Sequence, residues 1–124
     1  MAFSKEMEAL MADQAFAESL DAMETKEEIS AAFAAKGVDV VKEMQLDKEV
    51  AEAELSEDDL EDAAGGVATA TIALIISAAP LAWKVGTSAG ILIRAAYDAK
   101  KYGNPYRSYS KKKVDSILKK LNLL

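Results

Sequence analysis

Cysteine and histidine are both absent from this 124-residue chain. Without cysteine there are no disulfides, thiolate metal sites or thiol nucleophiles, and the redox compartment is left open. Without histidine there is no zinc site of the usual kind, no Ser-His-Asp triad and no imidazole base. No G-x-G-x-x-G, phosphate-binding loop or calcium-loop pattern occurs either. Any catalysis would rest on carboxylates, lysine or tyrosine alone, so the expectation is a chain that is not an enzyme and holds no cofactor or metal. Proline is also scarce, with two residues. No basic region followed by an apolar run opens the sequence, which argues against a secretory signal peptide. Nor does a glycine follow Met1 for myristoylation.

What is present is divided. The formal charge of −6 is the sum of −14 over residues 1–66 and +8 over residues 67–124. The boundary is Gly65-Gly66. Such asymmetry points to two parts with different partners, or to halves that attract each other within one fold.

The acidic half reads as short amphipathic helices. Phe3, Met7, Leu10 and Met11 share one helical face. Asp13 can cap a following turn set that carries Phe16 and Leu20. In "TKEEISAAFAAKG", Thr25 and Glu28 make a capping box, Ile29 and Phe33 an apolar face, and Gly37 a left-handed stop. Val38, Val40, Val41, Met44, Leu46 and Val50 supply a further helix or packing segment. "SEDD" at 56–59 repeats the capping-box pattern ahead of Leu60 and Ala63.

At the junction, Leu55, Asp59, Leu60 and Ala63 fall on one helical face, and two glycines follow. A bare, extendable backbone can enter a slot that side chains would block. A helix to grip followed by a strand to cut is the logic of a processing site. A helix C-cap followed by a flexible linker uses the same glycines.

"ELSEDDLEDAAGG" resembles the double-glycine end of leader peptides on bacteriocins and other ribosomally made peptide natural products. The matching positions are Leu55, Ser56, Asp59, Leu60, Ala63, Gly65 and Gly66. Asp59 stands where glutamate is commoner, and Ala63 where valine, isoleucine or methionine is commoner. Upstream, the acidic helices and "AAKGVD" are similar to the long nif-eleven-like leaders, with Val38 in place of the usual aromatic residue. The likeness covers residues 3–66, about half the chain. It implies that residues 1–66 are a removable leader read through Leu55, Ser56, Asp59, Leu60 and Ala63. A peptidase-bearing ABC transporter would cut between Gly66 and Val67, and a tailoring enzyme is a possible further partner. It also implies synthesis in a bacterial cytoplasm and secretion of the product, with the transporter replacing a signal peptide.

The basic half opens with 17 uncharged residues, Val67 to Trp83, then Lys84, then nine more to Ile93. That run is at the lower length limit for a membrane span. Its six large aliphatic residues contribute roughly −2 to −4 kcal/mol to insertion, and a central Lys84 would cost about +3 kcal/mol. The balance predicts helices that enter membranes conditionally. Pro80 is expected to bend or divide the stretch, with helices near 67–79 and 81–100. Gly86, Ser88, Ala89 and Gly90 give the second of these a small-residue face. "YGNPY" reads as a turn. Ser110 can cap a last helix in which Val114, Ile117, Leu118 and Leu121 form an apolar stripe. Lys111, Lys112, Lys113, Lys119 and Lys120 lie mostly off that stripe, the pattern of a basic amphipathic helix at an anionic membrane, or of a surface helix packed on its neighbours. Trp83 is the interfacial aromatic residue. Nucleic acid is not expected as a partner, since no recognition motif accompanies the lysines.

By composition, Val67–Leu124 resembles the compact, cationic, saposin-like bacteriocins. "KYG" resembles the Tyr-Gly site of radical enzymes that excise a tyramine unit, which would make Tyr102 and Gly103 a modification site; a plain turn is the other reading. The expectation is therefore an all-α precursor: short amphipathic leader helices, a bent apolar helix pair and a basic C-terminal helix. Its product would be a membrane-active antimicrobial peptide. The alternative is an uncleaved, membrane-associated interaction protein with an acidic helical module.

Overall fold

A computed structural model describes residues 3–23, 25–47, 69–86 and 88–123. All regular structure among them is helical. Seven α-helices run in the order α1 (Lys5–Ala12), α2 (Gln14–Ser19), α3 (Lys26–Ala34), α4 (Val40–Met44), α5 (Thr69–Val85), α6 (Ala89–Tyr102) and α7 (Lys111–Lys120), with a 3-10 turn at Leu20–Ala22 after α2. No described helix is long and apolar enough to cross a membrane.

The acidic helices are short and individually capped. Ser4 Oγ accepts from Met7 N–H at 3.1 Å. Asp13 Oδ1 accepts from Ala15 and Phe16 N–H at 3.1 and 3.4 Å. Thr25 Oγ1 accepts from Glu28 N–H at 3.1 Å, and Asp39 Oδ1 from Lys42 N–H at 3.3 Å. Each cap supplies one of the acceptors that a helix N-terminus lacks. Gly37, at φ +78°, closes α3 as expected. Val38 N–H bonds Phe33 C=O and Gly37 N–H bonds Ala34 C=O, a Schellman pair that drives Val38 back onto Phe33.

In the basic half, Pro80 does not divide the chain. It is buried inside α5, which continues to Val85. The reason lies in register. Ile72, Ile75, Ala79 and Ala82 are all buried at spacings of three, four and three, so their face runs unbroken past the proline. Packing that face on α6, the most extensive helix–helix contact, outweighs the lost backbone bond. The break falls instead at Gly86 (φ +82°) and Ser88 (φ +51°). Those two residues form the turn rather than a helix face. Gly103 (φ +68°) ends α6, with its N–H on Ala99 C=O. Asn104 Oδ1 accepts from Tyr106 N–H at 3.0 Å, so the "YGNPY" turn is present. Ser110 caps α7 through Lys113 N–H at 3.2 Å, also as expected.

One hydrophobic core takes side chains from both halves. Met7, Leu20, Ile29, Phe33 and Val40 come from the acidic helices. Ile75, Leu92, Ile93, Val114 and Leu118 come from the basic ones. α6 lies at the centre, buried almost all round, and packs on α5, α7 and the 3-10 turn.

Candidate functional site

The proposed cleavage residues Gly65, Gly66 and Val67 lie outside the described residues, as do Leu55, Ser56, Asp59, Leu60 and Ala63. Val50 and the "SEDD" cap lie outside them too. The remaining candidate residues fall on α5, α6 and α7 and separate by exposure.

On α7 the apolar stripe points inward, with Val114, Ile117 and Leu118 buried. Lys111, Lys112, Lys113, Lys119 and Lys120 are exposed. Lys111 pairs with Asp115 at 2.7 Å, one turn along, and that hydrogen bond holds its pKa above the usual lysine value. Trp83 is half-buried against the core near the end of α5. Tyr102 ends α6 and is exposed, with the Arg107 guanidinium 3.8 Å from its ring centroid. Gly103 is the helix C-cap, so Tyr102-Gly103 has a structural role as a turn whatever else it does.

The feature that sequence reading did not locate is how the two halves meet. Gly90, on α6, lies against the backbone of the 3-10 turn. A Cβ built on it would stand 2.3 Å from the Leu20 carbonyl oxygen. The small-residue reading of this segment was therefore useful at Gly90, but its neighbour is the acidic half rather than another apolar helix. The Phe3 and Tyr97 rings pack at 4.7 Å. Burial raises the Tyr97 pKa well above the ordinary phenol value.

Polar contacts complete the junction. Lys101 Nζ donates to Glu8 Oε1. Tyr109 O–H donates to Asp21 Oδ1, and Lys113 Nζ lies 3.7 Å from Asp21 Oδ2. Burial first, and the Asp21 bond second, push the Tyr109 pKa up. Nearby, Ser108 O–H donates to Asp98 Oδ2 at 2.6 Å. Asp98 is 5% exposed, and burial raises its pKa against the opposing pull of Ser108, Arg94 and Arg107. Two adjoining clefts, of about 560 and 450 Å³, follow this seam, and both are walled by acidic-half and basic-half residues together. Charge asymmetry hinted that such a seam exists. No local pattern pairs Asp21 with Tyr109, 88 positions apart.

No protein-family model, curated protein or solved structure matches this chain.

Proposed function

We propose that the chain is the precursor of a cationic, membrane-active peptide. Residues 1–66 act as the leader and residues 67–124 as the product, released by cleavage after Gly66 through a peptidase-bearing ABC transporter. The motif "ELSEDDLEDAAGG" motivates this reading. The observation that carries it further is the shared core. The apolar faces of α5, α6 and α7, which insertion into lipid would require, are buried in a core that also takes side chains from the acidic helices, and α6 packs on the 3-10 turn of that half. Membrane binding by α7 would need its stripe as well as its lysines, and in the intact chain only the lysines are available. The leader thus keeps the product inactive in the producing cell, and cutting the junction releases it.

Two measurements test this. The intact mass of material secreted by producing cells should correspond to a species starting at Val67, with any offset identifying tailoring. Leakage of phosphatidylglycerol-containing vesicles should be weak for the 124-residue chain and strong after cleavage and removal of the leader. Equal leakage before and after cleavage would sink the masking role.

The same shared core also favours a second reading, an uncleaved interaction protein, because a core built by both halves is what a permanent domain has. Recovery of only the full-length chain from cells would select it.

A further inference from the structure

We propose that Tyr109, Lys113 and Arg94 form a receptor for a lipid phosphate, which Asp21 occupies in the intact chain. The proposal rests on the precursor reading, since cleavage after Gly66 is what would withdraw Asp21.

The receptor comes wholly from residues 67–124 and its present occupant from residues 1–66. Two different groups hold the two oxygens of one carboxylate: the Tyr109 hydroxyl on Oδ1 and the Lys113 ammonium facing Oδ2. Two cations flank the tyrosine ring, with Arg94 Cζ 5.6 Å and Lys113 Nζ 5.1 Å from its centroid. Both cations are within cation–π range of the ring, and Lys113, which also faces Asp21 Oδ2, places positive charge beside the group that the hydroxyl binds. The cleft that opens here also has Arg107 and the Ser110 hydroxyl on its wall, further donors beyond the pair that holds the Asp21 carboxylate. A phosphodiester carries one negative charge over two unesterified oxygens, so it presents the same pair of acceptors as a carboxylate with more room to fill. In the adjoining cleft Glu8 occupies Lys101 in the same way, carboxylate of one half on cation of the other. The exposed lysines of α7 begin directly beside the receptor, so a lipid surface drawn to them would bring its phosphates to Tyr109.

The test uses the full chain, with vesicles of equal phosphatidylglycerol and phosphatidylcholine as the probe. Asp21→Asn empties the receptor of its internal anion. It should tighten vesicle binding about fivefold, the gain expected for one cation freed near an anionic surface. Glu18→Gln makes the same change of charge on the same cleft without touching the receptor, and should change binding less than twofold. Asp21→Asn combined with Tyr109→Phe should return to within twofold of the parent chain. Equal gains from Asp21→Asn and Glu18→Gln would reduce the effect to net charge and overturn the proposal. So would a gain that survives Tyr109→Phe, which would come from a loosened fold. Saturable binding of inorganic phosphate by Asp21→Asn without tighter vesicle binding would overturn the lipid assignment. None of these assays needs cleavage. A negative result therefore removes the receptor and leaves the precursor reading standing, whereas absence of cleavage in cells removes that reading without altering the binding data.

Discussion

The helices of the acidic segment and the α5–α6 pair of the basic segment reach helical structure by different means. Each of α1 to α4 is short and carries a side-chain N-cap, at Ser4, Asp13, Thr25 and Asp39. The longer α6 starts at Ser88 with no side-chain cap bond, and α5 runs through a proline. Capping contributes about 1 kcal/mol per helix and is local. α6, without such a cap, and α5, with its proline, draw their stability from packing, which is not local. The starts of α1 to α4, like that of the Ser110-capped α7, are thus marked by their own sequence, while α5 and α6 depend on what they pack against, which for α6 includes the 3-10 turn of the acidic half.

The strongest way to break the comparison is to damage one segment and watch the other. Phe33, fully buried, belongs to the acidic half and Leu118, 1% exposed, to the basic half. Phe33→Ala should cost about 3–5 kcal/mol and Leu118→Ala about 2–5 kcal/mol. Each should lower a single unfolding transition, seen identically by helix content and by Trp83 fluorescence. Two transitions, each sensitive to one substitution only, would show that the halves fold independently and would remove the masking argument.

This contrast also explains how far the sequence could be read. The Thr25 cap, the stop at Gly37, the Ser110 cap and the α7 stripe are all legible, because each is a relation between residues within about two helical turns. Of the Thr25–Glu28 box only the Thr25 half forms, since the Glu28 carboxylate accepts from the Thr25 hydroxyl instead of its backbone N–H. That Pro80 leaves the helix undivided is not legible locally, because it depends on the register of Ile72, Ile75, Ala79 and Ala82 against α6. The seam of Glu8 with Lys101 and Asp21 with Tyr109 was not legible. Those pairs are 93 and 88 residues apart, and among so many charged side chains nothing local marks them.

A second test sharpens the comparison at the point of closest approach. Gly90→Ala places a methyl group against the Leu20 carbonyl, a backbone atom that moves only if the 3-10 turn moves. Overpacking of this kind should cost about 1–3 kcal/mol, less than the core truncations. Gly37→Ala is the matched control in the acidic half. Nothing lies within 4 Å of its Cβ position, so its cost is the positive φ alone, about 1 kcal/mol. Urea unfolding of the two variants separates a penalty at the seam from one within a segment. If Gly90→Ala is no worse than Gly37→Ala, the two halves are not pressed together at Leu20.

The smallest expected effect concerns Asp98, one of two acidic residues in the basic half and the only buried charged residue among those described. Burial holds its folded pKa above the ordinary 3.8. In the window between those two values the folded chain binds more protons than the unfolded one, so stability falls as pH rises through it. Stability from this residue is complete below about pH 3.8 and is lost once pH passes the raised value. The sign is opposite to that of a carboxylate stabilised by a salt bridge. Asp98→Asn, which keeps an oxygen to accept from Ser108, should remove the downward slope. The difference in unfolding free energy between variant and parent, followed from about pH 3 to about pH 7, should therefore shift steadily in favour of the variant. A flat difference would mean that Ser108, Arg94 and Arg107 compensate the buried charge in full. A difference that shifts towards the parent would mean that they stabilise its ionised form, making Asp98 an anchor of the basic half rather than a cost to it.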